Sequence, residues 1–197
     1  MGELHHRKTH FKQWNFFGKE REKHLVLTAP FMFITFSRYT TYEVLRDNLT
    51  AIVDALAKRF PDAQAGRFGL RYINNIEIEG LVPTAWGQYI APDLVGACSF
   101  LNQPEHLTRL FHSAELKYAD LDVRFQFGLP NPDYPAVMKR PLFVLDYDGY
   151  VQTAHELGES LQNMDKAHEC IKGLFEKSIT SKLRERMNAT PAPSVQQ

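Results

Sequence analysis

The chain is poor in the residues that usually announce a chemistry. It has two cysteines in 197 residues, Cys98 and Cys170, with none of the spacing of a metal site. They read as two small buried thiols of a reduced, cytosolic protein. Neither sign of charge is in excess, with 23 Lys+Arg against 23 Asp+Glu. That excludes a whole-molecule basic field for gripping nucleic acid, and leaves room only for a local patch. No apolar run approaches the roughly 18–20 residues that cross a membrane, so no membrane partner is expected. The opening MGELHHRKTH has no apolar core of a secretory signal. His6 stands where a myristoylation start would carry Ser or Thr. Gly66 and Gly69 lead into a strand, not from a strand into a helix, which argues against Rossmann and P-loop nucleotide sites. His24, His106, His112, His155 and His168 show no metal spacing. Ser113 and Ser178 have neither a nucleophile elbow nor an obvious base nearby. No cofactor is expected, and no metal ligands are assigned.

What is present is a globular pattern. A 44% hydrophobic share is ordinary, and the length suffices for one domain with a real core. Residues 1–10 are polar and His-rich and read as a flexible arm. FKQWNFFG and HLVLTA, joined by the charged KEREK, predict a hairpin, and FMFITFSRY after Pro30 predicts another strand. A helix follows, capped by Thr40 or Thr41, with Glu43 in its first turn and an apolar repeat through Val44, Leu45, Leu49, Ile52, Val53 and Leu56. It should stop before Pro61. Residues 81–105 hold three prolines and two glycines and read as a surface excursion with a short helical piece near Pro92–Gly96. LTRLFHSAELKYA and LDVRFQFGL, meeting at Asp120, predict a second hairpin, and LFVLDYDGYVQT a further strand. A long helix is expected over 160–187, with a bend at Ser178-Ile179-Thr180, before a disordered tail at 189–197. The order predicts a single α+β domain over 11–188, with a largely antiparallel sheet, helices on one face and a long C-terminal helix.

The most patterned run is RFGLRYINNIEIEG, Arg67–Gly80. Strand alternation puts Phe68, Leu70, Tyr72, Asn74, Ile76 and Ile78 on a core face, with Asn74 needing hydrogen-bond partners there. Arg67, Arg71, Asn75 and Glu77 take the opposite face. The same alternation in LDVRFQFG and LFVLDYDGY turns Arg124, Gln126, Asp146 and Asp148 outward. Arg71, Asn75, Arg124, Gln126, Asp146 and Asp148 are therefore the candidate binding residues, provided the strands lie side by side. Three readings of that face stay open. It is a solvated face of paired charges. It is a binding surface whose arginines grip carboxylate or phosphate, with Tyr39, Tyr118, Tyr134 and Phe125 to stack bases if exposed. Or Asp146 and Asp148 hold Mg²⁺ for phosphoryl transfer.

FITFSRYTTYEVLRDNLTAIVDAL, RFGLRYINNIEI, LDYDGY and AHECIKGLFEKSITSKLRERM together resemble a sporadically distributed, TIGR-defined prokaryotic family of unknown function. Gly69–Asn74 (GLRYIN) is its most specific mark, and the His-x-x-Ile-x-x-x-Phe-x-x-x-Ile-Thr pattern over His168–Thr180 is the second. The likeness runs from Trp14 to Met187. It implies no reaction, cofactor or catalytic residue. It implies a prokaryotic protein with the patchy distribution typical of mobile or antiviral-defence genes. Family members carry a further N-terminal strand-bearing region, here missing or replaced by MGELHHRKTH, which implies an open sheet edge.

These features lead to two expectations. The first is a non-enzymatic cytoplasmic interaction module, a subunit of a homo-oligomer or of a larger complex, with a protein or a second copy as partner. The alternative is a nucleic-acid- or nucleotide-binding protein, in its furthest form a metal-dependent phosphoryl-transfer enzyme using the polar face.

Overall fold

The computed structural model describes residues 12–101 and 103–189. The expected arm at 1–10 lies outside the described residues, and so does the expected tail at 189–197 apart from Ala189, which ends a helix. Helix and strand take equal shares, 34% each, and the sheets are antiparallel, as the α+β expectation requires. Within the stretch read as one domain, the contacts divide into two compact units, Met1–Pro61 and Asp62–Gln197.

The first unit is a three-stranded meander followed by a helix. β1 (Gln13–Phe17), β2 (Lys23–Thr28) and β3 (Met32–Phe36) pair antiparallel in that order. The β1–β2 turn closes through Gly18 N–H to Lys23 O at 2.9 Å, with Arg21 at φ 58. Helix α1 (Tyr42–Arg59) starts where Thr41 accepts the Val44 amide on its hydroxyl, with Glu43 in the first turn and Lys58 and Arg59 in the last. These charges complement the helix dipole, and Pro61 lies two residues beyond the end. Among the described residues, Val26, Leu49 and Val53 are the buried apolar residues of this unit. Lys23 of β2 donates to Asn48 of α1 at 2.9 Å.

The second unit is built on a four-stranded sheet. β4 (Gln64–Ala65) is a two-residue strand inside the expected loop, paired with β9 (His155–Glu156). The main sheet runs β5–β8–β7–β6, formed by β5 (Phe68–Glu77), β6 (Leu110–Tyr118), β7 (Leu121–Leu129) and β8 (Leu142–Val151). Its apolar face carries Leu70, Val123, Phe125, Leu145 and Tyr147, with Phe125 and Tyr147 stacked 4.6 Å apart. Helix α3 (Glu159–Ser178) crosses that face, touching β8, β5 and β7. Along the middle of its buried side run Ser160, Asn163, Met164, Ala167, Ile171 and Ser178. The small residues let it come close. A Cβ added at Gly149 of β8 would stand 3.2 Å from Ala167 Cβ and Ile171 Cδ1.

Two expectations change here. The excursion at 81–105 is not all surface, since Trp86 and Ile90 are fully buried and α2 runs over Pro92–Phe100, longer than expected. Proline interrupts regular structure but does not expose its neighbours. Trp86 packs against Phe143 at 5.4 Å and its indole N–H donates to Pro83 O at 2.8 Å. The long C-terminal helix is present as α3, but it ends at Ser178 rather than running on to 187, and a separate α4 (Ser181–Ala189) follows. Between them the backbone bonds sideways. Ala91 N–H donates to Ser178 O and Thr180 N–H to Tyr89 O, each at 2.9 Å, and Ile179 bridges Ile90. The expected bend is thus a full break in which the chain briefly becomes a strand.

Candidate functional site

The sheet order brings most of the sequence-predicted residues together. Residues paired across antiparallel strands share a face. One rank across the polar face reads Arg71, Asp148, Arg124, Glu115, and the next reads Ile73, Asp146, Gln126, Ser113. Asn75 stands one rank further, beside Val144, and lines a groove of about 410 Å³ between β5 and Phe175, Leu183 and Met187.

The charged ends of this face satisfy each other. Arg71 grips Asp146 with a two-pronged contact, Nε to Oδ1 at 2.8 Å and Nη2 to Oδ2 at 2.5 Å. The hydrogen bond to Asp146, with the Asp146 and Asp148 charges, raises the Arg71 pKa above its ordinary value against the opposing pull of burial. Asp146 is buried at 8% exposure, although its partner's side chain is half-exposed. Arg124 turns to the neighbouring strand and donates to Glu115 at 2.8 Å, which raises its pKa likewise. Asp148 takes a longer contact from Arg67, 3.5 Å, and Arg67 lies over the Tyr150 ring.

Both Asp146 oxygens accept from Arg71, so a divalent cation at Asp146 and Asp148 would have to displace that guanidinium. Among the described residues no group of three or more His, Cys, Asp or Glu side chains is placed to hold a metal ion. The aromatic residues suggested for stacking fare unevenly. Tyr39, Tyr118 and Tyr134 are exposed, but Arg109 lies 4.3 Å over the Tyr134 ring. Phe125 is buried in the core at 7% exposure and is not available to a base.

Four polar contacts escape sequence reading because their members are distant or unpatterned. Tyr72 Oη meets His168 Nδ1 at 3.2 Å, joining the GLRYIN stretch to the second family-like stretch. Tyr147 donates to Ser178 at 2.8 Å, and burial pushes the Tyr147 phenol well up, against the lowering effect of that bond. His155 Nδ1 bonds Thr153 O at 2.8 Å, so Nε2 accepts the Ser160 hydroxyl at 3.1 Å. His155 and Ser160 are both buried. A buried Ser–His pair of this kind ties the start of α3 to the β9 segment. Asn74 finds its partner in Leu145 O at 3.2 Å.

Both units expose apolar side chains: in the second, Ile73, Val82, Phe100 and Phe111 stand on separate elements, and in the first, aromatic residues gather on one small sheet. Trp14, Phe16, Phe17, Phe31 and Phe33 are 45–53% exposed. Every residue of β1 is exposed, on both faces of the strand. One face carries a ring ladder: Phe17 stacks on His24 at 4.3 Å, His24 meets Phe33 edge-on at 6.4 Å, and Phe33 stacks with Phe31 at 6.1 Å. Asn15 Oδ1 accepts from the His24 ring nitrogen and from Gln13, each at 2.9 Å. The signal was in the sequence as aromatic density in FKQWNFFG and FMFITF; which side stayed uncovered was not. No family model, curated protein or solved structure matches the chain.

Proposed function

We propose that this protein is a non-enzymatic interaction module, a subunit of a homo-oligomer or of a larger prokaryotic complex, and that it associates through the β1–β3 sheet. The observation that carries the reading is the set of half-exposed aromatic residues on the two faces of one small sheet, Trp14 and Phe16 on one and Phe17, Phe31 and Phe33 on the other, with β1 exposed throughout. Apolar groups gathered in this way are characteristic of association surfaces, and aromatic residues are enriched at the core of such contacts. The polar face supports the same reading from the other side. Its strongest charges, Arg71 with Asp146 and Arg124 with Glu115, are already matched. Membership of the family it resembles, a cytoplasmic location and a part in antiviral defence belong to the same proposal. The contact between Tyr72 and His168 is in keeping with the family likeness, since it gives its two marks a shared packing role.

Hydrogen exchange tests the reading. In chain recovered in its native state from its own cells, peptides spanning residues 12–36 should exchange more slowly than in dilute purified chain. Equal exchange in both would count against it. The nucleic-acid reading keeps one supporting observation, the shared rank of Arg71 and Arg124 on one face. Binding of nucleotide or nucleic acid that is lost in Arg71→Ala would favour it. A Mg²⁺-dependent activity lost in Asp146→Ala, Asp148→Ala would carry it to the enzyme.

A further inference from the structure

The outer edge of β1 can be specified atom by atom. Along an antiparallel strand, alternate residues direct their N–H and C=O to one neighbour and then to the other. Gly18 N–H donates to Lys23 O, and Thr28 N–H to Phe31 O. These two bonds fix the phase. Phe16 and Trp14 bond toward Leu25 and Leu27 of β2, while His24 and Val26 of β2 bond toward β3. Gln13, Asn15 and Phe17 therefore point their backbone groups away from β2, and among the described residues no strand pairs with them there.

We infer that the occupant of this edge is β1 of a second copy, paired antiparallel about a twofold axis through Asn15. The inference rests on the interaction reading above and names its partner. Under that symmetry Asn15 faces Asn15 of the second copy, and Gln13 faces Phe17. These are the residues whose N–H and C=O point outward, so each facing pair exchanges both of its backbone bonds. On the other face Trp14 meets Phe16 of the second copy, an aromatic cross-strand pair. The edge suits a copy of itself in charge as well. Gln13–Phe17 carries no ionised side chain, and the whole chain has formal net charge +0, so two copies meet without like-charge repulsion. The edges of the larger sheet carry Arg71 and Glu77 on β5 and Glu115 and Lys117 on β6, the charges by which edges are kept from pairing. The remaining edge, β3, also lacks charge, but it follows Pro30 and its Met32, Ile34 and Phe36 are half-buried.

The area on offer is small. With roughly 200 Å² per aromatic side chain, about half of it exposed, Trp14, Phe16 and Phe17 offer on the order of 300 Å² per copy. With Gln13, Asn15 and the edge backbone added, both copies together bury about 1,000 Å², at the small and reversible end of protein interfaces. The dimer is therefore expected to form at micromolar concentrations and to fall apart on dilution.

Cysteine cross-linking of the intact chain tests the register. Facing bonded residues have Cα atoms about 5.5 Å apart, inside the disulfide range of about 4.4–6.8 Å. Asn15→Cys should cross-link to itself under mild oxidation. Gln13→Cys alone and Phe17→Cys alone should not, since like residues stand about 14 Å apart along the strands. A mixture of those two variants should cross-link to each other. The unsubstituted chain gives the background from Cys98 and Cys170. Asn15→Pro removes an outward N–H without breaking a backbone bond to β2, and loses only the exposed side-chain contacts with His24 and Gln13. Asn15→Ala loses the same side-chain contacts and keeps the N–H. Asn15→Pro should therefore raise the dimer dissociation constant at least about tenfold beyond Asn15→Ala, while the two variants melt alike as monomers. A strictly monomeric chain at roughly 100 µM, well above the expected micromolar range, would overturn the inference. So would a cross-linking pattern indifferent to position. Association with an unlike protein through Trp14 and Phe16, with no self-association, overturns the second copy and leaves the interaction reading standing. Association that Trp14→Lys, Phe16→Lys does not touch overturns both.

Discussion

At the residue scale, Asp146 and Tyr147 are neighbours on β8 with opposite surroundings. Asp146 is a nearly buried carboxylate whose two oxygens both depend on Arg71. Arg71→Ala leaves that carboxylate without its donor. Solvent screening of the half-exposed guanidinium moderates the loss to about 1 kcal/mol. Arg124→Ala, which breaks only a surface pair with Glu115, should leave the denaturant midpoint unchanged. A chemical melt of the two variants side by side checks the difference. Tyr147 is held neutral by burial. Its folded pKa lies above its unfolded value, so the folded state keeps a proton that the unfolded state releases. Its contribution is fully present below pH of about 10 and is lost as pH rises beyond. Tyr147→Phe should flatten the decline of stability above that pH, and lose about 1 kcal/mol at neutral pH with the Ser178 bond. Alkaline unfolding curves of both proteins measure it. These residues show what the sequence could and could not convey. Alternation correctly turned Arg71, Arg124, Asp146 and Asp148 to one face. Which arginine took which carboxylate depended on strand order, and the run of residues along β8 says nothing about that.

At the scale of elements, the hairpin of β6 and β7 hinges on Gly128. Its φ is +144, and an added Cβ would lie 2.1 Å from Leu110 O, a backbone atom that cannot swing aside. Gly128→Ala should therefore cost about 3 kcal/mol or more, lowering the thermal midpoint of the second unit by roughly 6–12 °C. Calorimetry of the variant tests it, and a shift within a degree of the parent would show that the hairpin adjusts freely. Strands with clean alternation, β5 and β7 above all, were legible because each buries one face only. The segment from Leu81 to Leu101 was not, because its order comes from one indole against Phe143 and from bonds to the α3–α4 break. Long-range contacts of that kind leave no period in the sequence. For the same reason the helical repeat through Ser178 ran on into Leu183, while Ser178 O was taken by the Ala91 N–H and the Thr180 N–H by Tyr89 O.

At the scale of the whole molecule, the contrast lies between the two units. The second unit matches its own charges on the polar face and buries Tyr147, Phe143 and Trp86, and the aromatic residues it exposes, Phe100, Phe111 and Tyr134 among them, stand on separate segments. The first unit leaves its aromatic side chains half in water on a short sheet with charge-free edges. A mean composition gives no hint of this, since a net charge of zero and a 44% hydrophobic share describe most globular chains. The most direct test of the interaction reading is sedimentation velocity of fluorescently labelled intact chain, in buffer over a range of concentrations and in extract of its own cells. Trp14→Lys, Phe16→Lys serves as the comparison. The unsubstituted chain should sediment as a larger species in at least one of these conditions, and the variant as a folded monomer in all of them. A chain and a variant that sediment identically throughout would contradict the assignment of function to this sheet.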